Sequence, residues 1–292
     1  MSDFEKALEF TTASLRKLSE SGSNLRGSRD SLHRLAAARG AAPSKAQPSR
    51  EPVMTQRPIS KPAAPVAAPK SPAPAPPSAD VFPTSGATKQ DRIDQIRAAV
   101  APCIKCPQLA RTRTQTVFGV GNIDAQIMFV GEAPGADEDQ QGEPFVGKAG
   151  QLLTKIIETM GLKRGDVFIA NVLKCRPDMP PGSSGNRRPT TLEMQTCLPY
   201  LRAQIDAIQP TVLVALGAVA MEGLLGAVEP MSRLRGRWHE FQGIPLMATY
   251  HPAYLLRNQS LSEKRKVWED MLLVMERVGL PITEKHRGYF LK

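Results

Sequence analysis

Ala125-Gln126-Ile127-Met128-Phe129-Val130-Gly131, running straight into Glu132-Ala133-Pro134-Gly135, is an apolar run of strand length that ends on glycine and opens a loop. Short, apolar at alternate and adjacent positions and closed by a turn residue, it has the pattern of a strand buried on both faces. Asp166–Val172, Thr211–Leu216 and Ile244–Thr249 read the same way. Helical patterns separate these runs: Asp91–Val100, Gly147–Met160, a long segment opening at Thr190 and stopped by Pro210, and one ending near Val278. Glu193 follows Thr190 at capping-box spacing. Strands alternating with helices predict an α/β fold, a three-layer α/β/α sandwich around a central, about four-stranded parallel sheet. In such sheets the chemistry sits at the carboxyl ends of the strands.

Outward from that core, composition divides the 292 residues. Of 26 prolines, 12 fall between Pro43 and Pro83, in runs such as Pro72-Ala73-Pro74-Ala75-Pro76-Pro77. Such a stretch favours extended, polyproline-like chain over a packed core. The expected organisation is a partly helical tail over 1–40, a disordered Pro/Ala-rich linker over 41–88, and one folded domain over 89–292. The net charge is +10. Residues 1–90 carry 13 Lys/Arg against 7 Asp/Glu, so +6 lies in tail and linker and +4 in the domain. A basic surplus favours polyanionic partners through counterion release.

Met1-Ser2-Asp3-Phe4-Glu5-Lys6 lacks the basic and apolar regions of a secretory signal. Thr211–Val228 is long and apolar, but Glu222 and three glycines interrupt it and prolines bracket it, which suits a buried strand and a short core helix. These readings predict no membrane association and a reducing, cytoplasmic compartment. There, four cysteines point to metal binding before disulfides. All four lie within one stretch, Cys103 and Cys106 as a CxxC pair, then Cys175 and Cys197.

The strand-end loops carry unusual polar residues. Gly131-Glu132-Ala133-Pro134-Gly135-Ala136-Asp137-Glu138-Asp139 is glycine-rich, but it lacks Gly-Lys-Ser/Thr and places acids where phosphates would sit, so it is no phosphate cradle. Phe145, among glycines and prolines, needs something flat to pack on. The second loop contains Asn171 and Cys175. The last reads His251-Pro252-Ala253-Tyr254-Leu255-Leu256-Arg257-Asn258 and runs on to Lys264, Arg265 and Lys266, a basic edge beside the same site.

Gly131 to Gly135 with its acidic run, Pro144 to Leu153, Asn171 four before Cys175, Asn186-Arg187, and His251 to Arg257 together resemble the family 4, iron–sulfur type uracil-DNA glycosylases. The resemblance spans about residues 90–280 with every motif in order and leaves residues 1–88 uncovered. It implies a DNA-repair hydrolase that flips deoxyuridine out of DNA and cleaves its N-glycosidic bond, leaving an abasic site. Phe145 then resembles the aromatic that stacks on uracil. Asn171 resembles the reader of its amide edge, and the backbone at Glu132 and Ala133 holds the pyrimidine. His251 would donate to O2, where charge grows as uracil leaves.

At the position of Ala133 the better-known branch of this superfamily has a water-activating Asp. The resemblance therefore moves that work to Glu132 and Glu138 as carboxylates, with Asn186 positioning water. Leu255 falls at the wedge position, four after the His, and Arg257 and Arg187 are expected DNA contacts. The cysteines Cys103, Cys106, Cys175 and Cys197 are implied ligands of a [4Fe-4S] cluster. Spacing alone also allows a four-thiolate zinc, although zinc usually uses two CxxC pairs.

The partner is uracil-containing DNA, single- or double-stranded. A monomer associated with the nucleoid through DNA is expected, and nothing specifies a partner for the tail. Arg233-Leu234-Arg235-Gly236-Arg237-Trp238-His239 lies where a related group carries a run that crosslinks to DNA, but it does not match that run. A uracil-DNA binding or crosslinking protein with little turnover is the alternative reading, kept open by Ala133.

Overall fold

The computed structural model describes residues 82–177, 179 and 185–291. The expected tail, most of the expected linker, and part of the segment between Cys175 and Asn186 lie outside the described residues.

The four expected strands form the parallel centre of the sheet: β2 (Ile127–Gly131), β3 (Phe168–Asn171), β4 (Val212–Leu216) and β6 (Ile244–Thr249). Two antiparallel edges were not expected, β1 (Val120–Gly121) beside β3 and β5 (Trp238–Phe241) beside β6. The resulting six-stranded mixed sheet has the order β1-β3-β2-β4-β6-β5.

The pleat sends alternate side chains to opposite faces. Met128, Val130, Leu213, Ala215, Leu246 and Ala248 pack in one core. Helices α1 (Lys89–Val100), α2 (Pro107–Thr112), α5 (Thr191–Ile208), α6 (Ala218–Leu225) and α7 (Met231–Leu234) supply buried residues to that core. Ile127, Phe129, Ile169, Val212, Val214 and Met247 face the other core, which α4 (Lys148–Thr159) and α9 (Leu261–Arg277) complete. This is the predicted three-layer arrangement. Each large side chain buried here, such as Phe129, contributes roughly 2 kcal/mol through the water it leaves behind.

Thr190 caps α5 as its spacing predicted: its side chain accepts from Glu193 N at 3.2 Å, and Glu193 Oε2 accepts from Thr190 N at 2.8 Å. The loop after β2 contains a short helix, α3 (Ala136–Gln141), and two helices follow β6 where one was expected. Asn258 ends α8 (Pro252–Arg257) in extended backbone, and Ser260 starts α9 by accepting from Glu263 N at 3.4 Å. A last short helix, α10, covers Glu284–Gly288. Thr211–Val228 is a buried strand and a short helix, as its interruptions predicted, and no helix among the described residues is long and apolar enough to cross a membrane.

Candidate active site

Parallel pairing brings the four strand ends to one edge: Gly131 sits opposite Asn171, and Leu216 opposite Thr249. Two glycines let their side chains converge. A Cβ at Gly131 would lie 2.4 Å from Asn171 Oδ1 and 2.5 Å from Phe145 Cζ. A Cβ at Gly217 (φ 93°) would come within 3.0 Å of the His251 Cβ. Gly131→Ala should thus force Phe145 and Asn171 apart. Misplacement on this scale costs about 10²-fold in kcat/KM. Single-turnover assays of a variant with unchanged circular dichroism would check it.

Phe145 holds φ 56°, a left-handed backbone that bulky residues rarely adopt. Its ring stacks on His251 with centroids 5.6 Å apart and planes at 29°. The backbone is gripped on both sides. Arg164 Nη2 donates to the Pro144 carbonyl. Glu138 Oε1 accepts from Val146 N at 3.0 Å and Gly147 N at 3.1 Å, and its Oε2 accepts from Gly135 N at 3.0 Å. Glu138 therefore clamps the loop with both oxygens. Asn186 lies beside it: a Cβ at Gly135 would meet Glu138 Oε2 at 2.6 Å and Asn186 Nδ2 at 3.2 Å.

His251 caps α8, its Nδ1 accepting from Ala253 N at 3.1 Å. An accepting Nδ1 leaves the neutral ring's proton on Nε2. Burial, and then the Arg257 charge, lower its pKa to about 4, so the ring is neutral at physiological pH. Asn171 is 2% exposed, and among the described residues its carboxamide has no hydrogen-bond partner. Glu132 is half-buried, and burial raises its pKa against the lowering effect of Arg188. Ala133 packs against the first core.

Two expected DNA contacts are engaged within the fold. Leu255 is 5% exposed and faces the fold, whereas Leu256 is 38% exposed. One residue along a helix turns the side chain by about 100°, and α8 puts its second leucine outside. Leu256→Ala should slow excision from duplex DNA by about tenfold while sparing single strands, because only a duplex leaves a hole to fill. Leu255→Ala should instead destabilise the fold by about 2–5 kcal/mol. Rates on both substrates and denaturant midpoints separate the two.

Arg187, the second of these, donates from Nη1 and Nη2 to Glu193 at 2.9 and 2.7 Å. That pair, with the Thr190 amide and Gln108, holds the Glu193 pKa down to about 2. Arg187 thus fastens the start of α5, and exposed Arg188 pairs with Glu222. Arg257 is exposed, as expected.

Cys103, Cys106, Cys175 and Cys197, all free thiols, line one small pocket together with Leu109, Leu173 and Tyr200. Arg113 Nη1 donates to Cys175 Sγ at 3.1 Å, and Lys174 N donates to Cys197 Sγ at 3.3 Å. Burial raises the thiol pKa values of Cys106 and Cys175, and pushes Cys197 up to about 12. Four sulfur donors sharing one enclosed, amide- and cation-supplied space fit a thiolate-bound iron–sulfur centre, which would favour their ionised forms.

Several contributors carried no recognised signal in the sequence. Buried Asp139 accepts from Thr114 N at 3.1 and 2.9 Å, tying the acidic loop to the chain before β1. Asp270 accepts from Thr249 Oγ1 at 2.6 Å and from Arg235 Nη2 at 2.7 Å, bracing the strand end that carries His251. Burial pushes the Asp270 pKa up to about 6 despite those bonds. The segment 233–239, at the position of the related group's crosslinking run but unlike it in sequence, is thus built into the fold, with His239 Nε2 2.8 Å from the Leu234 carbonyl.

The family model of the uracil DNA glycosylase superfamily matches residues 118–272. A type-4 uracil-DNA glycosylase of Thermotoga maritima is 42% identical over 186 residues, covering 63% of this chain and 93% of that protein. One of Archaeoglobus fulgidus is 43% identical, covering 60% and 88%. A type-5 uracil-DNA glycosylase of Pyrobaculum aerophilum is 29% identical over 186 residues, covering 52% and 79%. With the type-4 proteins matched across nearly their whole length, the chain belongs to the uracil-DNA glycosylase superfamily, in its type-4 branch.

Proposed function

We propose that this chain is a DNA-repair uracil-DNA glycosylase that takes deoxyuridine out of the stack, hydrolyses its N-glycosidic bond and releases uracil, with the work carried by residues 89–292. One observation carries the chemistry: Phe145 stacks on a neutral His251 with its proton on Nε2 and converges across Gly131 on the Asn171 carboxamide, which has no hydrogen-bond partner among the described residues. The aromatic face stacks on the flipped base. The carboxamide donates to uracil O4 and accepts from N3–H, a pattern that cytosine reverses. His251 Nε2–H donates to O2, where negative charge builds as the bond to C1′ breaks. A fixed donor at the site of developing charge lowers the barrier.

The sugar left behind resembles an oxocarbenium ion, and a carboxylate both stabilises it and orients water. Glu132, half-buried directly after the end of β2, takes that role, with Asn186 positioning the water. Glu138 keeps Phe145 and Asn186 in place. Glu132→Gln should cost about 10²-fold in single-turnover rate, and Glu138→Gln a smaller factor through the loop. Wild-type rates in both would refute this assignment. Leu256, Arg257 and Arg188 are assigned to the DNA-facing edge.

The four cysteines are assigned to a [4Fe-4S] cluster. When bound, the cluster supplies a cross-link between the chain before the sheet, the loop after β3, and α5, and takes no part in bond cleavage. Iron and sulfide in equal amounts in anaerobically purified protein support this, and stoichiometric zinc opposes it.

Labelled single- and double-stranded DNA bearing one uracil, treated with protein and then alkali and run on a denaturing gel, tests the activity. A cleaved strand supports the glycosylase. A retarded band indicates a crosslinker, and intact DNA indicates a binder.

A further inference from the structure

Lys174 lies between the thiol cavity and the uracil pocket and is 1% exposed. Its Nζ donates to the Asn171 carbonyl at 2.9 Å and to Gln204 Oε1 at 2.6 Å. Gln204 is itself fixed, its Nε2 donating to the Phe118 carbonyl at 2.9 Å. Both acceptors of the ammonium are neutral. A lysine is almost never buried this fully without a counter-charge, because carbonyl dipoles replace hydration but leave the charge uncancelled. The groups nearest it that can carry negative charge are Cys175, its neighbour in sequence, and Cys197, whose Sγ lies 3.3 Å from its amide, and they do so as thiolates holding the cluster. A cluster held by four thiolates carries roughly two negative charges, and Arg113 at Cys175 is a second cation beside it.

We infer that Lys174 is a positioning residue joining the two sites: its ammonium is the buried counter-charge of the cluster, and it fixes the backbone of the residue that reads uracil. The inference rests on the cluster and pocket assigned above. Its geometry is local and specific. Lys174 folds back three residues onto the Asn171 carbonyl, where the chain leaves β3, while its own amide bonds to Cys197 Sγ. Loss of the negative centre would strand a cation against the Asn171 backbone, so cluster integrity and base recognition share one side chain.

The test compares iron-loaded wild type, Lys174→Met and Arg113→Met, reading the cluster reduction potential by spectroelectrochemistry and free uracil affinity by calorimetry. Removing either cation should make the potential more negative, because the less negatively charged oxidised cluster is then favoured. Only Lys174→Met should also weaken uracil binding, by about tenfold or more. Should Lys174→Met fail to fold, Lys174→Gln removes the charge and keeps a polar group in the cavity. It should move the potential in the same direction, and an unmoved potential overturns the inference. An iron-loaded Lys174→Met with wild-type uracil affinity also overturns it, leaving the glycosylase reading intact. Wild type without iron would overturn the cluster assignment and this inference together.

Discussion

His251→Ala is expected to lower single-turnover excision of uracil by about 10²–10³-fold, with little change in DNA affinity. The size follows from position. The ring donates where charge appears only as the bond breaks, so its loss falls on the chemical step. Alanine also removes the acceptor for Ala253 N, a helix cap worth about 1 kcal/mol. His251→Asn separates these effects, since a carboxamide oxygen still caps α8 but cannot reach as Nε2 does. Both variants should be slow, and Asn should be the more stable. The pH dependence has a definite sign. Unfolded, the imidazole titrates near 6.5, and folded near 4. Between those values the unfolded chain binds a proton that the folded chain does not, so stability falls as pH drops through that window. The full loss is on the order of 3 kcal/mol, and it should vanish from the pH profile of His251→Asn.

Cys175→Ser is expected to abolish the visible thiolate-to-iron absorption and to lower Tm by roughly 10 °C. The cluster would cross-link Cys106 to Cys175, closing a loop of about 70 residues, and restraining such a loop is worth roughly 4 kcal/mol by chain-entropy reasoning. For a domain of this size each kcal/mol moves Tm by about 2–4 °C. Activity should fall with stability, since Cys175 follows Asn171 by four residues and Lys174 bonds to the Asn171 carbonyl. Thermal scans with iron quantification check this. A variant that keeps its iron, or keeps its Tm without iron, would show that the cysteines do not clamp the fold.

What was legible in the sequence follows from how strongly burial constrains each segment. The four central strands are sandwiched between helices, so their apolar runs are unmistakable. β1 is two residues long, and β5 mixes Trp238, His239 and Glu240 at a half-exposed edge, so neither produces such a run. The candidate site was legible because Asn171 and His251 stand at strand ends and Phe145 in the long loop after β2, and topology brings strand ends together. Side-chain direction was not. The resemblance pointed to Leu255, but the packing of α8 decides which of two adjacent leucines faces out. Arg187 sat in a basic segment, but Glu193, identified as a helix cap, was also its partner. Lys174 was invisible for a general reason: lysines are almost always solvated, and only the fold reveals one enclosed beside thiols.

The most direct test of the whole account is a count. Iron-loaded protein is mixed with an excess of otherwise identical duplexes carrying uracil, thymine or cytosine at one position, and the free bases are quantified by mass spectrometry. Uracil and not cytosine should be released, in many-fold excess over protein and to exhaustion of its duplex. Release of no more than one uracil per protein, or of cytosine at a comparable rate, would contradict a hydrolase that reads uracil through Asn171 and turns over through His251.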